Sequence, residues 1–362
     1  MKLGFWKNLK KPIVGLAPMD GVTDQPFRYV TKKHGNPDVI YTEFATVEGF
    51  CRKVKQPLFD FLYDETQRPI VAQIYGKTPQ FFYQTAIAVC QLGFDGVDIN
   101  MGCPAKSVAN GGAGAGLIKT PELAQEIIVA TQKGVENWQN GKTVRDCPDL
   151  SNFICNVIEE RHEKLPKEYQ DKNREIPVSV KTRIGFDQPI VEEWIPALLE
   201  KNPAVIALHG RTLRKGYAGK ADWEQIALAA KIIHRHNPKI IVLGNGDIPD
   251  KEAAIKASKK YGVDGVLIGR TSFGNPWVFS DRKETDEPIT IAQKAALALE
   301  HSLAFEKAYG DKENYRFLAM RKHLAWYIKG VPNASDVRSE LVRTDNSGQV
   351  KAILEKYKLF DV

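Results

Sequence analysis

With 362 residues, 43% hydrophobic and 26% charged, the chain has the makeup of an ordinary globular protein and enough length to bury a large core. That balance excludes a fibrous or disordered chain; no run approaches a membrane span, and Met1-Lys2-Leu3-Gly4 lacks a signal peptide's apolar stretch, so a cytoplasmic protein is expected. The net charge of +7 suits a polyanionic partner without requiring one, and five cysteines with no CxxC and no zinc-like Cys/His spacing indicate neither a disulfide scaffold nor a metal site.

After a short lead, β-branched apolar runs alternate with helix-like segments, the pattern of βα units. The runs are Ile13 to Ala17, Val39 to Glu43, Ile70 to Ile74, Gly96 to Asn100, Val178 to Thr182, Val205 to His209, Ile240 to Gly244 and Gly265 to Gly269. Eight short parallel strands of this kind predict an α/β fold, a closed (β/α)8 TIM barrel. Several end in a residue with chemistry to offer: Gln73, Asn100, Lys181, His209 and Asn245. A polar group at the end of an apolar strand costs burial energy unless it bonds something, so their convergence points to a ligand.

Cys103 follows the fourth strand in Asn100-Met101-Gly102-Cys103-Pro104, where Pro104 stops further pairing. At that end of a barrel, loops carry chemistry while strands hold them still. Such a thiol can donate a proton, or remove one as a thiolate; equally, it can be an inert core cysteine.

Between the fourth and fifth strands, Thr120 is placed to cap a helix that begins at Pro121. Residues from about 135 to 175 then form an insertion with its own helix near Ser151 to Lys164, read as a solvated decoration. Gly244-Asn245-Gly246-Asp247 and Gly269-Arg270 end the last two strands. In barrels these loops build a phosphate site: glycines admit backbone N–H groups, a short helix points its N-terminus at the anion, and Arg270 adds a forked donor. A ring attached to that phosphate would lie near Pro18, Gln73, Lys181 and His209, and a lysine at that depth needs a negative partner such as a reduced flavin.

The barrel is expected to close near Trp277, with a charged hinge from Asp281 to Pro288. Helices are predicted from Thr290 to Tyr309 and from about 313 to Lys329, stopped by Gly330 and Pro332. Phe317, Met320, Leu324, Tyr327 and Ile328 form an apolar stripe; Tyr315, Lys322, Trp326 and Lys329 lie along another face, suited to nucleic acid or simply to water. The expected division is a catalytic barrel over residues 1–285 and a helical region over 286–362.

Leu16-Ala17-Pro18-Met19-Asp20-Gly21-Val22-Thr23-Asp24, Asp98-Ile99-Asn100-Met101-Gly102-Cys103-Pro104, Val180-Lys181-Thr182-Arg183, Leu208-His209-Gly210-Arg211-Thr212 and Gly244-Asn245-Gly246-Asp247 together resemble the tRNA-dihydrouridine synthases over nearly the whole chain. The resemblance implies an FMN-binding barrel followed by a helical tRNA-binding domain, reducing selected uridines with electrons from NADPH. It places Pro18 and Met19 at the flavin ring, Gln73, Lys181 and His209 at its polar edge, and Asn245, Gly246, Asp247, Gly269 and Arg270 at the phosphate. Cys103 matches the proton donor to C5 as hydride reaches C6. Asn100 matches a residue holding the uracil, Arg183 and Arg211 match substrate contacts, and Lys322, Trp326 and Lys329 are candidate tRNA contacts. A monomer is expected. The alternatives are an FMN barrel dehydrogenase acting on a free pyrimidine, of dihydroorotate or dihydropyrimidine type, and a non-catalytic tRNA-binding protein.

Overall fold

The structure, a computed structural model, describes residues 1–52, 56–216, 218–282, 286–311, 316–331 and 333–360, the side chains of residues 56, 57 and 106 excepted. The expected boundary at residue 285, Tyr315 and Pro332 fall outside the described residues.

Eight strands, β1 (Ile13–Leu16), β2 (Ile40–Thr46), β3 (Ile70–Tyr75), β4 (Gly96–Met101), β5 (Val178–Arg183), β6 (Val205–His209), β7 (Ile241–Asn245) and β8 (Gly265–Ile268), pair in parallel and in sequence order into a closed barrel. Ile13, Val39, Tyr41, Val71, Val205, Ile241, Leu243 and Leu267 fill the interior, joined by Trp6 from a 3₁₀ turn over Gly4–Asn8. That turn lies against the entry to β5, since a Cβ on Gly4 would meet Glu175 O, so Trp6 closes the end opposite the strands' C-termini. The interior is a packed core, and the loops at the strands' C-terminal ends are left to shape a site.

The longer helices are α1 (Gln25–Gly35), α2 (Pro79–Gln91), α3 (Pro121–Gln139), α4 (Asn152–Glu163), α5 (Val191–Leu199), α6 (Trp223–His236), α7 (Lys251–Tyr261), α8 (Ile291–Tyr309), α9 (Leu318–Tyr327), α10 (Ala334–Leu341) and α11 (Ser347–Lys356). Pro121 opens α3 as expected, but Thr120 makes no side-chain cap bond. The helix also runs to Gln139, past the expected start of the insertion. Gly134 lets α3 lie directly on α2, where a Cβ would come within 2.3 Å of Tyr83 O.

The insertion is not a solvated decoration. Ser151 caps α4 as expected, but Val144, Cys147, Leu150, Ile154, Cys155 and Ile158 are buried in the main core. Its polar groups are matched as well: Gln84 Nε2 donates to Asp149 Oδ2 at 2.6 Å, and Val144 N donates to Gln91 Oε1 at 3.0 Å. Apolar residues spaced among charges gave this segment a polar average while leaving it one face to bury.

Thr290 caps α8 in a reciprocal pair with Gln293. The predicted apolar stripe of Phe317, Met320, Leu324, Tyr327 and Ile328 is buried in a second core with residues of α8, α10 and α11, and Gly330 (φ +82°) follows the end of α9. Val30 of α1 belongs to that core too, whereas Phe27 one turn earlier belongs to the first.

Candidate active site

The C-terminal ends of the strands frame a cavity of about 720 Å³. Thirteen of the residues singled out in the sequence line it: Pro18, Met19, Gln73, Asn100, Cys103, Lys181, Arg183, His209, Asn245, Gly246, Asp247, Gly269 and Arg270. Arg211, Lys322, Trp326 and Lys329 do not. Asp20, Phe44, Ile248, Thr271 and Phe273 line it without having been singled out. Phe44 enters through a register shift between Tyr41 and Phe44 in β2, which the sequence does not announce.

A chain of hydrogen bonds crosses the cavity floor. Ser179 Oγ donates to Asp98 Oδ1 at 2.5 Å, and Gln73 Nε2 donates to Asp98 Oδ2 at 2.7 Å. Asn100 Nδ2 donates to Gln73 Oε1 at 2.9 Å, and Asn100 Oδ1 accepts the N–H groups of Gly102 and Cys103 at 3.0 and 2.8 Å. The two amides therefore have one workable orientation, and the bend carrying the thiol is tied to the strands beneath it. Asp98 anchors the chain, its carboxyl pushed up to about 6 by burial against the opposing bonds from Ser179 and Gln73. An acid inside an apolar strand was the available signal for it.

Burial raises the Cys103 thiol above its ordinary range, and nearby Asp20 adds to the shift while the Ala105 N–H, Arg183 and Lys181 oppose it. It is therefore a protonated thiol at neutral pH, an acid and not a thiolate. Burial lowers the Lys181 ammonium to about 8, with Arg183 adding to the shift and Asp98 and Cys103 opposing it. At about 8 it is still mainly a cation at neutral pH, and its Nζ faces the cavity with no hydrogen bond or ion pair among the described residues. Burial also drives His209 down to about 2, helped by Arg183, Lys181, Arg211 and Arg270. The ring is neutral, and because Arg211 Nη1 at 3.4 Å can only donate, Nε2 accepts and Nδ1 carries the proton.

Arg183 donates from Nε to Gly102 O at 2.6 Å, bracing the thiol loop from the cavity wall. Arg211 sits behind the wall, with Nη2 at 2.8 and 2.7 Å from the two Asp247 carboxylate oxygens. Arg270 adds a third contact at 3.3 Å from Asp247 Oδ1. Burial would raise Asp247, but the bonds from Arg211 and Ala221 outweigh it and hold the carboxyl below its usual range. The Asp247 carboxylate is thus matched by two guanidiniums, so it leaves no net negative charge at this end of the cavity. Gly246 (φ +135°) could carry no side chain, since a Cβ would lie 2.6 Å from Ala221 Cβ. The N–H groups of Gly246 and Gly269 donate to no backbone acceptor among the described residues. In place of the expected short helix, a 3₁₀ turn over Arg270–Ser272 follows Gly269.

These donors fit a flavin mononucleotide. One end offers free glycine N–H groups beside Arg270 for a phosphate, and the other offers an unpaired ammonium, a neutral imidazole and the Gln73 amide for a polar ring edge. Pro18, Met19 and Phe44 supply apolar surface between polar groups.

A closed barrel with one such cavity at its strand ends defines a cofactor-binding barrel enzyme. Residues 15–160 and 150–360 match the family described as dihydrouridine synthase (Dus). A "Probable tRNA-dihydrouridine synthase" from Staphylococcus aureus (strain COL) is 33% identical over 99% of this chain and 97% of its own length. "Probable tRNA-dihydrouridine synthase 2" from Bacillus subtilis (strain 168) is 32% identical over 99% of this chain and 98% of its own. The chain belongs to the dihydrouridine synthase family of flavin-dependent oxidoreductases. No helix among the described residues is long and apolar enough to cross a membrane.

Proposed function

We propose that this enzyme reduces selected uridines of tRNA to 5,6-dihydrouridine, with FMN bound in the barrel, NADPH as electron donor, and the cytoplasm as its place of work as a monomer. The observation that carries the reading is a protonated thiol, Cys103, opening into the same cavity as the unpaired Lys181. When bound, FMN supplies the hydride that adds to C6 of the uracil.

The residues of this chain do the rest. Pro18 and Met19 give the ring a flat apolar seat; Gln73, Lys181 and His209 meet its polar edge; Asn245, Gly246, Asp247, Gly269 and Arg270 form the phosphate end. Addition at C6 leaves an electron pair spread over C5 and O4. Cys103 delivers its Sγ proton to C5 as that charge builds, and the resulting thiolate regains a proton from water. Asn100 fixes the thiol loop through Oδ1 and keeps one Nδ2 hydrogen to offer the uracil, while Arg183 holds the same loop from the side. Arg211 acts one layer back, through His209 and Asp247.

A uridine must leave its stack to enter a barrel mouth, which costs a few kcal/mol and favours an exposed tRNA loop. The terminal helices would meet the tRNA backbone, with Lys329 exposed beyond the end of α9 as one phosphate contact. Lys329→Ala is expected to weaken tRNA binding a few-fold and to reduce the slope of log affinity against log salt by about 0.7–0.9, with flavin content unchanged, as titrations at several salt concentrations would read.

The reading is tested by mapping dihydrouridine in tRNA from cells with and without this gene. Loss of the modification at defined positions supports it. Unaltered tRNA, together with turnover of a free pyrimidine by the purified protein, would replace it with the pyrimidine dehydrogenase reading.

A further inference from the structure

Lys322 and Trp326 lie four residues apart on α9 and so share one face of that helix. The indole of Trp326 is stacked on Phe273, with ring centroids 4.2 Å apart and planes at 12°. Phe273 lines the cavity, in the loop that follows β8. The contact continues into the backbone: Gly274 has φ +67°, and a Cβ there would lie 2.7 Å from the Trp326 carbonyl carbon, so α9 rests on this loop with no side chain between them.

One turn earlier, Lys322 reaches the loop that follows β1. A Cβ on Gly21 (φ +68°) would stand 3.4 Å from Lys322 Nζ. The neighbouring acids are Asp20, which lines the cavity, and Asp24, whose carboxylate caps α1 by accepting Phe27 N at 2.9 Å. Burial raises both carboxyls and the Lys322 charge lowers both. β1 and β8 are neighbours where the barrel closes. One face of one helix therefore touches both loops at that seam, the one carrying Pro18, Met19 and Asp20 and the one carrying Gly269, Arg270 and Phe273.

We infer that Lys322 and Trp326 are positioning residues of the cavity, holding the β1 and β8 loops at the separation that flavin binding requires, so that the helical region sets cofactor affinity and site reactivity before RNA arrives. This rests on the flavin reading above. A base stacking on Trp326 would compete for the ring with Phe273, and a phosphate at Lys322 would approach Asp20 and Asp24. Both residues are therefore better employed within the protein than against RNA. A barrel that depends on this brace cannot load its cofactor fully unless the helical region is folded onto it, which ties flavin content to the integrity of the RNA-binding end.

The test uses the full-length protein with Trp326→Ala, Trp326→Phe, Lys322→Met and Lys322→Arg, reading FMN dissociation by fluorescence, the visible spectrum of bound flavin, tRNA dissociation, and kcat and KM for tRNA. Trp326→Ala and Lys322→Met are expected to weaken FMN binding by about tenfold, to shift the bound flavin spectrum and to lower kcat, with tRNA dissociation within about twofold of the parent. Trp326→Phe and Lys322→Arg, which keep the ring and the charge, should restore most of the loss. They also keep the test open if the larger changes prevent folding, since a loss of FMN affinity in these mild variants would still be graded and readable. Ten-fold weaker tRNA binding with FMN affinity and spectrum unchanged would overturn the inference in favour of direct RNA contact. Variants indistinguishable from the parent in every readout would overturn it too, with the flavin reading intact. A parent protein that takes up no FMN would overturn that reading and this inference with it.

Discussion

Cys103→Ala is expected to keep its flavin and to oxidise NADPH in the absence of tRNA at the parent rate, while dihydrouridine formation falls by about 10²–10⁴, the usual worth of a positioned general acid. In the proposed reaction the two half-reactions draw on different groups. The thiol belongs to a bend held by Asn100 Oδ1 and Arg183, and none of the groups assigned to ring or phosphate depends on its side chain. Product measured by digestion and mass spectrometry, set beside anaerobic flavin reduction in a stopped-flow instrument, reads both. Because burial and Asp20 hold the thiol protonated above its ordinary range, the parent should also keep its acid at alkaline pH and lose activity only once the raised thiol ionises. An alanine variant that modifies tRNA as fast as the parent would remove Cys103 from the proton transfer.

Lys181→Met should move activity and stability in opposite directions. Removing one charged donor aimed at developing negative charge costs about 10²–10³ in kcat. The same ammonium is a burden to the folded chain, because it is ionised in a buried site with no partner among the described residues. Its folded value of about 8 lies below the ordinary 10.5, so between those values the unfolded chain binds the extra proton. Folding stability therefore falls as pH drops through that window and stays reduced below it. Methionine, close in length and apolar, should raise stability by about 1–3 kcal/mol at neutral pH, with the gain shrinking as pH climbs from 8 towards 10.5. Denaturant titrations at two pH values together with a tRNA assay measure both halves. A variant that loses activity and stability together would show that Lys181 serves the fold.

The eight strands were legible because each is a short run of β-branched residues, and a count of eight closes on itself. The cavity was legible for the same reason: Gln73, Asn100, Lys181, His209 and Asn245 each break an apolar run in its C-terminal half, towards the barrel's mouth. Partners distant in the chain were not legible. Arg211 reads as a ligand contact until Asp247, 36 residues on, is found between it and Arg270. Lys322 and Trp326 read as an open basic and aromatic face, because nothing nearby in sequence reveals Gly21 and Phe273 beneath them. The insertion misled through its average, since Val144, Cys147, Ile154 and Ile158 are too sparse among charges to raise its hydropathy but fall on one buried side. Thr120 has the residue type and place of a cap without the φ and ψ to use them.

α1 gives Phe27 to the core around the barrel and Val30 to the core of the terminal helices, and the Phe27 ring also lies 5.4 Å from that of His323 on α9. Melting either core pulls apart a helix the other needs, so the two should not melt one after the other. Calorimetry would then record one endotherm for the whole chain, and a shortened chain ending before α8 would carry a raw apolar strip along α1 that promotes clumping during expression.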